Sequence, residues 1–165
     1  MDSDFERYVG LYSADLTRLC ISLCCNNHDA EDLFQETWFK AMKNYKSYNS
    51  DLPFDKWLFS ICVNTFKNKR KLFYHRNKVD FKSDEEKQAF FNSIPNTSDE
   101  KFDSYFELHS AVAELPKKLK IVVVLYYFKD YSAKEIAGIL GIPEGTVKSR
   151  MHSAREQIKR RLNCE

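Results

Sequence analysis

The stretch SAKEIAGILGIPEGTVKSR, residues 132–150, decides how this chain is read. Ser132 and Glu135 stand at capping-box spacing. In that arrangement each side chain takes up a backbone group that the first helical turn leaves unpaired. Ile136, Ala137 and Leu140 supply the apolar face of a short helix. Gly141 ends it, because glycine adopts left-handed backbone without steric cost. Pro143 opens the next helix, where its missing N–H is no loss. Two helices around the turn Gly141-Ile142-Pro143 predict a helix-turn-helix.

The second helix sets what that motif does. Advancing about 100° per residue from Val147 places Val147, Met151, Ala154, Ile158 and Leu162 in a stripe roughly 80° wide. That stripe must bury. Gly145, Ser149, His152 and Glu156 lie nearly opposite, with Lys148 and Arg155 on one flank and Thr146 and Arg150 on the other. Small or polar groups at the N-terminal end of this outward face suit a DNA major groove. Lys159, Arg160 and Arg161 extend positive charge toward phosphates. The bland alternative is an amphipathic helix with a solvated outer face. The capped partner helix and its turn favour DNA reading over it.

The rest of the chain sets bounds. Its 165 residues suit one domain or two small ones. Glycine and proline, four each, are too scarce for a turn-rich β fold, so an all-α protein is expected. The acidic start Met1-Asp2-Ser3-Asp4 lacks the basic-then-apolar order of a signal peptide. The longest apolar run, Ile121 to Phe128, is far short of a membrane span. A cytoplasmic protein is expected. The five cysteines, Cys20, Cys24, Cys25, Cys62 and Cys164, are odd in number and irregularly spaced, so they imply no disulfide framework. Cys20, Cys24, Cys25 and His28 can be read as metal ligands, but Cys20-Ile21-Leu23-Cys24 has the look of a helix's apolar surface. We read them as buried thiols and expect no metal and no cofactor.

Net charge is only +2, but it is unevenly spread. Residues 1–63 carry 6 basic and 10 acidic groups; residues 64–80 carry 6 and 1; residues 81–110 carry 3 and 7; residues 143–165 carry 6 and 3. Two positive islands on acidic ground fit a chain that holds DNA in two places. They fit ordinary solvated faces equally well.

Helical periodicity recurs upstream. From Asp29 to Tyr45, Ala30, Leu33, Phe34, Trp38, Ala41, Met42 and Tyr45 repeat at three-and-four spacing, with Asp29 as expected N-cap. The loop Ser47 to Pro53 is turn-rich. A helix is expected from Phe54 to Lys71, burying Leu58, Ile61, Cys62, Thr65 and Phe66 and exposing Ser60, Asn64, Lys67, Arg70 and Lys71. Residues 77 to about 103 lose the pattern and read as polar linker, with a short helix around Glu85–Phe91. Helices resume near Tyr105. Pro116 starts another, with Ile121 to Phe128 as its buried centre.

At this point a family resemblance emerges. The run LPKKLKIVVVLYYFKDYSAKEIAGILGIPEGTVKSRMHSAREQIKRRL resembles the −35-reading domain of bacterial RNA polymerase sigma factors. More narrowly, it resembles the extracytoplasmic-function group of the sigma-70 family. Upstream, DAEDLFQETWFKAMKNYKSY resembles the polymerase-binding helix of sigma region 2, and PFDKWLFSICVNTFKNKRK the segment that handles the −10 element. The resemblance implies two helical domains, residues 1–76 (region 2) and 107–165 (region 4), joined by a flexible acidic linker, 77–106.

It also implies roles. Asp32, Gln35 and Glu36 match contacts to the clamp coiled coil of the polymerase β′ subunit. Tyr48, Asn49 and Ser50 lie in the loop that captures a flipped −10 base, with Trp57 and Asn64 beneath it and Lys67, Lys69, Arg70 and Lys71 on the DNA backbone. Lys148, Ser149, His152 and Ser153 match positions at the −35 bases or flanking phosphates; Thr146, Arg150 and Arg155 join them as phosphate or structural partners. His152 departs from the larger or more basic residues often found there. The implied partners are core polymerase, through the β′ clamp and the β flap, promoter DNA, and an anti-sigma protein. No enzyme activity and no small-molecule substrate are implied. Two competitors are a stand-alone helix-turn-helix regulator and a recombinase. The recombinase would need a catalytic serine among arginines, which Ser3 and Ser13 near Arg7 and Arg18 imitate poorly.

Overall fold

The computed structural model describes residues 3–69, 108 and 110–163. The expected linker, the short helix around Glu85–Phe91, and Arg70, Lys71 and Cys164 lie outside the described residues. Among the described residues every regular element is helical and none is a strand.

Three helices form an N-terminal lobe: α1 (Ser3–Cys24), α2 (Asn27–Asn44) and α3 (Phe54–Asn68). Cys25, at φ 59, turns the chain between α1 and α2. The expected cap at Asp29 is corrected. Asn26 caps α2: its Oδ1 accepts from the Asp29 N–H at 2.8 Å, and its Nδ2 donates to Asp29 Oδ2 at 2.7 Å. One amide serves both groups, which lets Asp29 sit buried inside the first turn. Likewise α3 ends at Asn68 and not Lys71.

Leu16, Leu19 and Leu23 of α1 bury with Leu33 and Ala41 of α2 and Leu58, Cys62 and Phe66 of α3. Within this core Cys20 Sγ lies 3.8 Å from Cys62 Sγ. That contact, with burial, pushes the Cys20 thiol far up, so it stays protonated and inert. At the open end Phe54 stacks on Tyr8, ring centroids 4.0 Å apart, and packs against Tyr48 and Trp57.

The C-terminal lobe begins with a helical turn at 110–113. Then come α4 (Lys117–Val123, capped by Pro116), a π-helical turn (Val124–Phe128), α5 (Ala133–Leu140) and α6 (Glu144–Asn163). The reading of 121–128 as a buried centre is corrected. Ile121 to Leu125 are buried, whereas Tyr126 and Tyr127 are 36% and 52% exposed. The π turn adds residues to the helical repeat and rotates the two tyrosines outward. The α6 stripe buries Val147, Met151 and Ala154, half-buries Ile158, and leaves Leu162 exposed.

The local signals in 132–150 are all present. Ser132 Oγ accepts from the Glu135 N–H at 3.2 Å, and the Ser132 N–H donates to Glu135 Oε2 at 2.9 Å. Those backbone and side-chain hydrogen bonds, together with Lys56, draw the Glu135 carboxyl down to about 2. Gly141 is left-handed at φ 63, and the Ile142 N–H closes the end on the Ala137 carbonyl at 3.2 Å. The two glycines of this unit therefore respond oppositely to alanine. Neither has an atom within 4 Å of an added Cβ. Gly141→Ala is expected to cost about 1 kcal/mol through its positive φ. Gly138→Ala, inside α5, is expected to gain about 0.5–1 kcal/mol. Thermal melts of the two variants check the opposite signs.

The lobes pack together. α5 lies against α3, the π turn lies against α1, and one apolar cluster runs through both lobes. Phe59 of α3 meets the Tyr131 ring at 6.2 Å and the Lys129 amine at 4.9 Å. This accounts for the burial of Phe59 and Val63, which fall outside the single stripe read from the sequence.

Candidate nucleic-acid interface

The outward side of α6 carries the sequence-predicted readers. Lys148, Ser149, His152, Ser153 and Arg155 are exposed; Thr146 and Arg150 are half-buried beside the turn. Gly145 leaves open space at the helix start, so the backbone there can approach a groove. Lys148 bridges Glu144 at 3.1 Å with both side chains largely in water. Such a pair contributes little and releases readily to a phosphate.

Arg155 is held differently. Its Nε donates to Tyr127 Oη at 3.0 Å, and its guanidinium sits 5.8 Å and 5.9 Å from the ring centroids of Tyr126 and Tyr127. The hydrogen bond to Tyr127, then the phenol dipoles, stabilise the cation and raise its pKa. Four N–H donors on the two terminal nitrogens remain beyond that bond. Sequence reasoning missed these tyrosines, because they lie inside an unbroken apolar run.

In the N-terminal lobe the loop after α2 is organised. A 3₁₀ turn, Tyr45–Ser47, leads into it. Asn49 Oδ1 accepts from the Asp51 N–H at 3.0 Å, and the Tyr48 hydroxyl donates to the Leu52 carbonyl. The Tyr48 ring rests 4.9 Å from Trp57, and Trp57 is half-buried. Asn49 and Ser50 are exposed at the tip. Along α3, Asn64 and Lys67 face solvent on the expected side. Burial, then the nearby charges of Arg150 and Lys118, holds the Lys67 amine below its ordinary pKa. The structure thus brings the α3 basic face close to α6.

On α2, Asp32 and Gln35 are exposed, and Glu36 is half-buried. Glu36 joins helices: it bridges Lys40 at 2.9 Å and Lys69 at 3.3 Å. Burial raises its pKa, but the two lysines outweigh that and lower it. Phe39 and Met42 lie on the same helix face, 53% and 46% exposed. Met42 thus departs from the buried stripe that its spacing predicts. Asp32, Gln35, Phe39 and Met42 therefore form one exposed mixed polar and apolar strip on α2. Among the described residues no group of three His, Cys, Asp or Glu side chains is placed to hold a metal. No described helix is long and apolar enough to cross a membrane.

The two helical lobes thus each turn a basic or polar face outward, and α2 carries a separate acidic and apolar strip. Residues 8–72 match the family model for sigma-70 region 2, and residues 105–158 match that for sigma-70 region 4. The chain is 31% identical to the ECF RNA polymerase sigma factor SigW of Bacillus subtilis, over 96% of this chain and 88% of that protein. It is 31% identical to sigma factor SigV of the same organism, over 93% and 88%. The fold is similar to that of the sigma factor RpoE in its co-crystal with the anti-sigma factor NepR from Bartonella quintana: TM-score 0.71, 24% identity, covering 98% of each chain. It is also similar to CnrH in complex with the cytosolic domain of CnrY: TM-score 0.70, 21% identity, covering 98% of this chain and 88% of that one.

The chain belongs to the extracytoplasmic-function group of the sigma-70 family. It is a promoter-specificity subunit that binds core RNA polymerase and promoter DNA. Because its N-terminal lobe matches region 2, the stand-alone regulator is not favoured.

Proposed function

We propose that residues 107–165 read the −35 element, residues 1–76 bind polymerase and trap the −10 strand, and residues 77–106 connect them. The exposed α6 row Lys148, Ser149, His152 and Arg155, on a capped helix-turn-helix, carries this reading. Ser149 and His152 face base edges; Lys148, Ser153, Thr146, Arg150 and Arg155 serve the flanking phosphates. Asn49 and Ser50 offer hydrogen bonds to an unpaired base at the loop tip, Tyr48 and Trp57 form the aromatic wall under it, and Asn64, Lys67, Arg70 and Lys71 hold the strand. Asp32, Gln35, Phe39 and Met42 dock on the β′ clamp, with Glu36 fixing that surface to α3. The C-terminal lobe meets the β flap. The chain contributes no catalytic group, since nucleotidyl transfer belongs to polymerase. Its place is the cytoplasm. An anti-sigma protein is a further partner, supported by the similar fold of RpoE, which is described in complex with the anti-sigma factor NepR.

Tyr127 positions Arg155 in this scheme. A guanidinium already fixed by one hydrogen bond and two rings loses less freedom when it meets a phosphate. Tyr127→Phe removes only the hydroxyl and is expected to weaken binding of a −35 duplex about 3–10-fold. In an Arg155→Ala background the same change is expected to add nothing. Fluorescence anisotropy of the four proteins measures this cycle. Additive losses would remove Tyr127 from the scheme. Equal binding to intact and scrambled −35 duplexes by the parent chain would remove the scheme itself.

A further inference from the structure

The two ends of α3 meet the C-terminal lobe in opposite ways. At its start, carboxylates find partners across the seam. The Tyr131 hydroxyl donates to Asp55 Oδ2 at 2.7 Å, and Lys56 bridges Glu135 at 2.9 Å. At its end, cations meet cations. The Lys117 amine donates to the Lys69 carbonyl at 3.1 Å and lies 5.2 Å from the Phe66 ring centroid, so the start of α4 rests on the end of α3. α6 packs against α4. Lys67 of α3, Lys118 of α4 and Arg150 of α6 gather where these three helices meet, and Lys67 feels the charges of both the others.

Among the described residues, none of the three has an ion pair or a side-chain hydrogen bond. The carboxylates of the neighbouring segments are committed elsewhere. Glu36 bridges Lys40 and Lys69, Glu144 bridges Lys148, and Glu114 pairs with Arg161. Lys67 and Lys118 are exposed and Arg150 is half-buried, so a ligand can reach all three. Like charges gathered without a counter-charge raise one another's energy, and a bound anion removes that cost. The planar guanidinium pairs with two phosphate oxygens at once, and the two ammonium groups add point charges. A single carboxylate brings one negative charge to such a cluster. Adjacent phosphates bring several in the same small space.

We propose that Lys67, Lys118 and Arg150 form a binding site for a compact polyphosphate, the chemistry shared by inorganic polyphosphate and the phosphate chain of a nucleotide. Lys67 and Arg150 are assigned above to DNA phosphates, so the ligand competes with promoter DNA for them. That competition rests on the promoter reading; the site itself does not. Lys118 belongs to no proposed DNA or polymerase surface and therefore separates the two.

The full chain is titrated by calorimetry with inorganic tripolyphosphate at about 0.15 M salt, where scattered surface charges are largely screened. One saturable site per chain is expected. Lys118→Gln is expected to weaken it about ten-fold, and Arg150→Lys, which keeps the charge and loses the fork, about three-fold or more. Lys46→Gln, an exposed lysine elsewhere, is expected to change nothing. Circular dichroism checks that each variant keeps its helices. A nucleoside triphosphate binding as tightly as tripolyphosphate assigns the site to the phosphate chain alone, and a tighter one assigns it to a nucleotide. Non-saturable binding overturns the proposal. So does equal weakening by Lys46→Gln and Lys118→Gln, or a nucleoside monophosphate that binds as tightly as tripolyphosphate. Anisotropy with a −35 duplex then reads the competition. Tripolyphosphate is expected to displace the duplex from the parent chain, and to require about ten-fold more ligand with Lys118→Gln. Failure of every protein to prefer the intact −35 duplex over a scrambled one overturns the promoter reading alone; calorimetry still decides the site.

Discussion

Replacing Asp32 and Gln35 together by alanine is expected to weaken association with core polymerase about 100-fold or more. Both side chains stand in water on α2, so neither holds the fold. The nearest partner of Asp32 is His28 at 3.7 Å, with both side chains more than half exposed, a contact of little worth to stability. A hydrogen bond to a charged partner contributes about 1.5–3 kcal/mol. Two such losses give about 3 kcal/mol, and each 1.4 kcal/mol is tenfold. Thermal stability should be unchanged, and binding to core polymerase should collapse. Glu36→Ala separates the roles differently. Its carboxylate is committed to Lys40 and Lys69 and is about one-third exposed, so its loss should cost under 1 kcal/mol of stability, with a smaller loss of polymerase affinity. Surface-capture binding curves with purified core enzyme, beside thermal melts, distinguish the two patterns. Undiminished binding by the Asp32/Gln35 variant would detach α2 from polymerase.

The second large effect belongs to α6, where the residues divide by what they touch. His152→Ala is expected to relax discrimination at one −35 position by about 1–3 kcal/mol, with little change on other sequences. Lys148→Ala is expected to weaken all duplexes alike and to reduce the slope of log K against log salt by about 1. The difference follows from position. His152 lies opposite the buried Val147–Met151–Ala154 stripe, whereas Lys148 stands on its flank beside Glu144. Binding to a panel of single-base −35 variants at three salt concentrations checks both. A uniform loss for His152→Ala would move that residue from base to phosphate.

The helix-turn-helix was legible because its signals are local. A capping box, a glycine at a helix end and a proline at a helix start act within four residues and owe nothing to distant packing. The α2 cap was less so. Asp29 and Asn26 are both good caps, and only the left-handed turn at Cys25 puts Asn26 in extended backbone at the helix start. Tyr126 and Tyr127 were hidden in an apolar run whose period gives no warning of the π turn. Met42 joined the core stripe on spacing alone, though the helix surface turns to solvent there. The contacts between lobes were illegible. Tyr131 and Asp55 are distant in sequence, and neither spacing nor composition marks them as partners. The family resemblance supplied roles for Asp32, Gln35 and the loop at Tyr48, which their residue types alone left as ordinary polar surface.

Every role assigned here turns on start-site selection by a larger enzyme. The most direct measurement is run-off transcription by purified core polymerase on a promoter library, with and without this chain. The account predicts discrete transcripts only when the chain is present, from templates that share one −35 and one −10 sequence, and their loss with the Asp32/Gln35 variant. The same unspecific transcripts with and without the chain would contradict it.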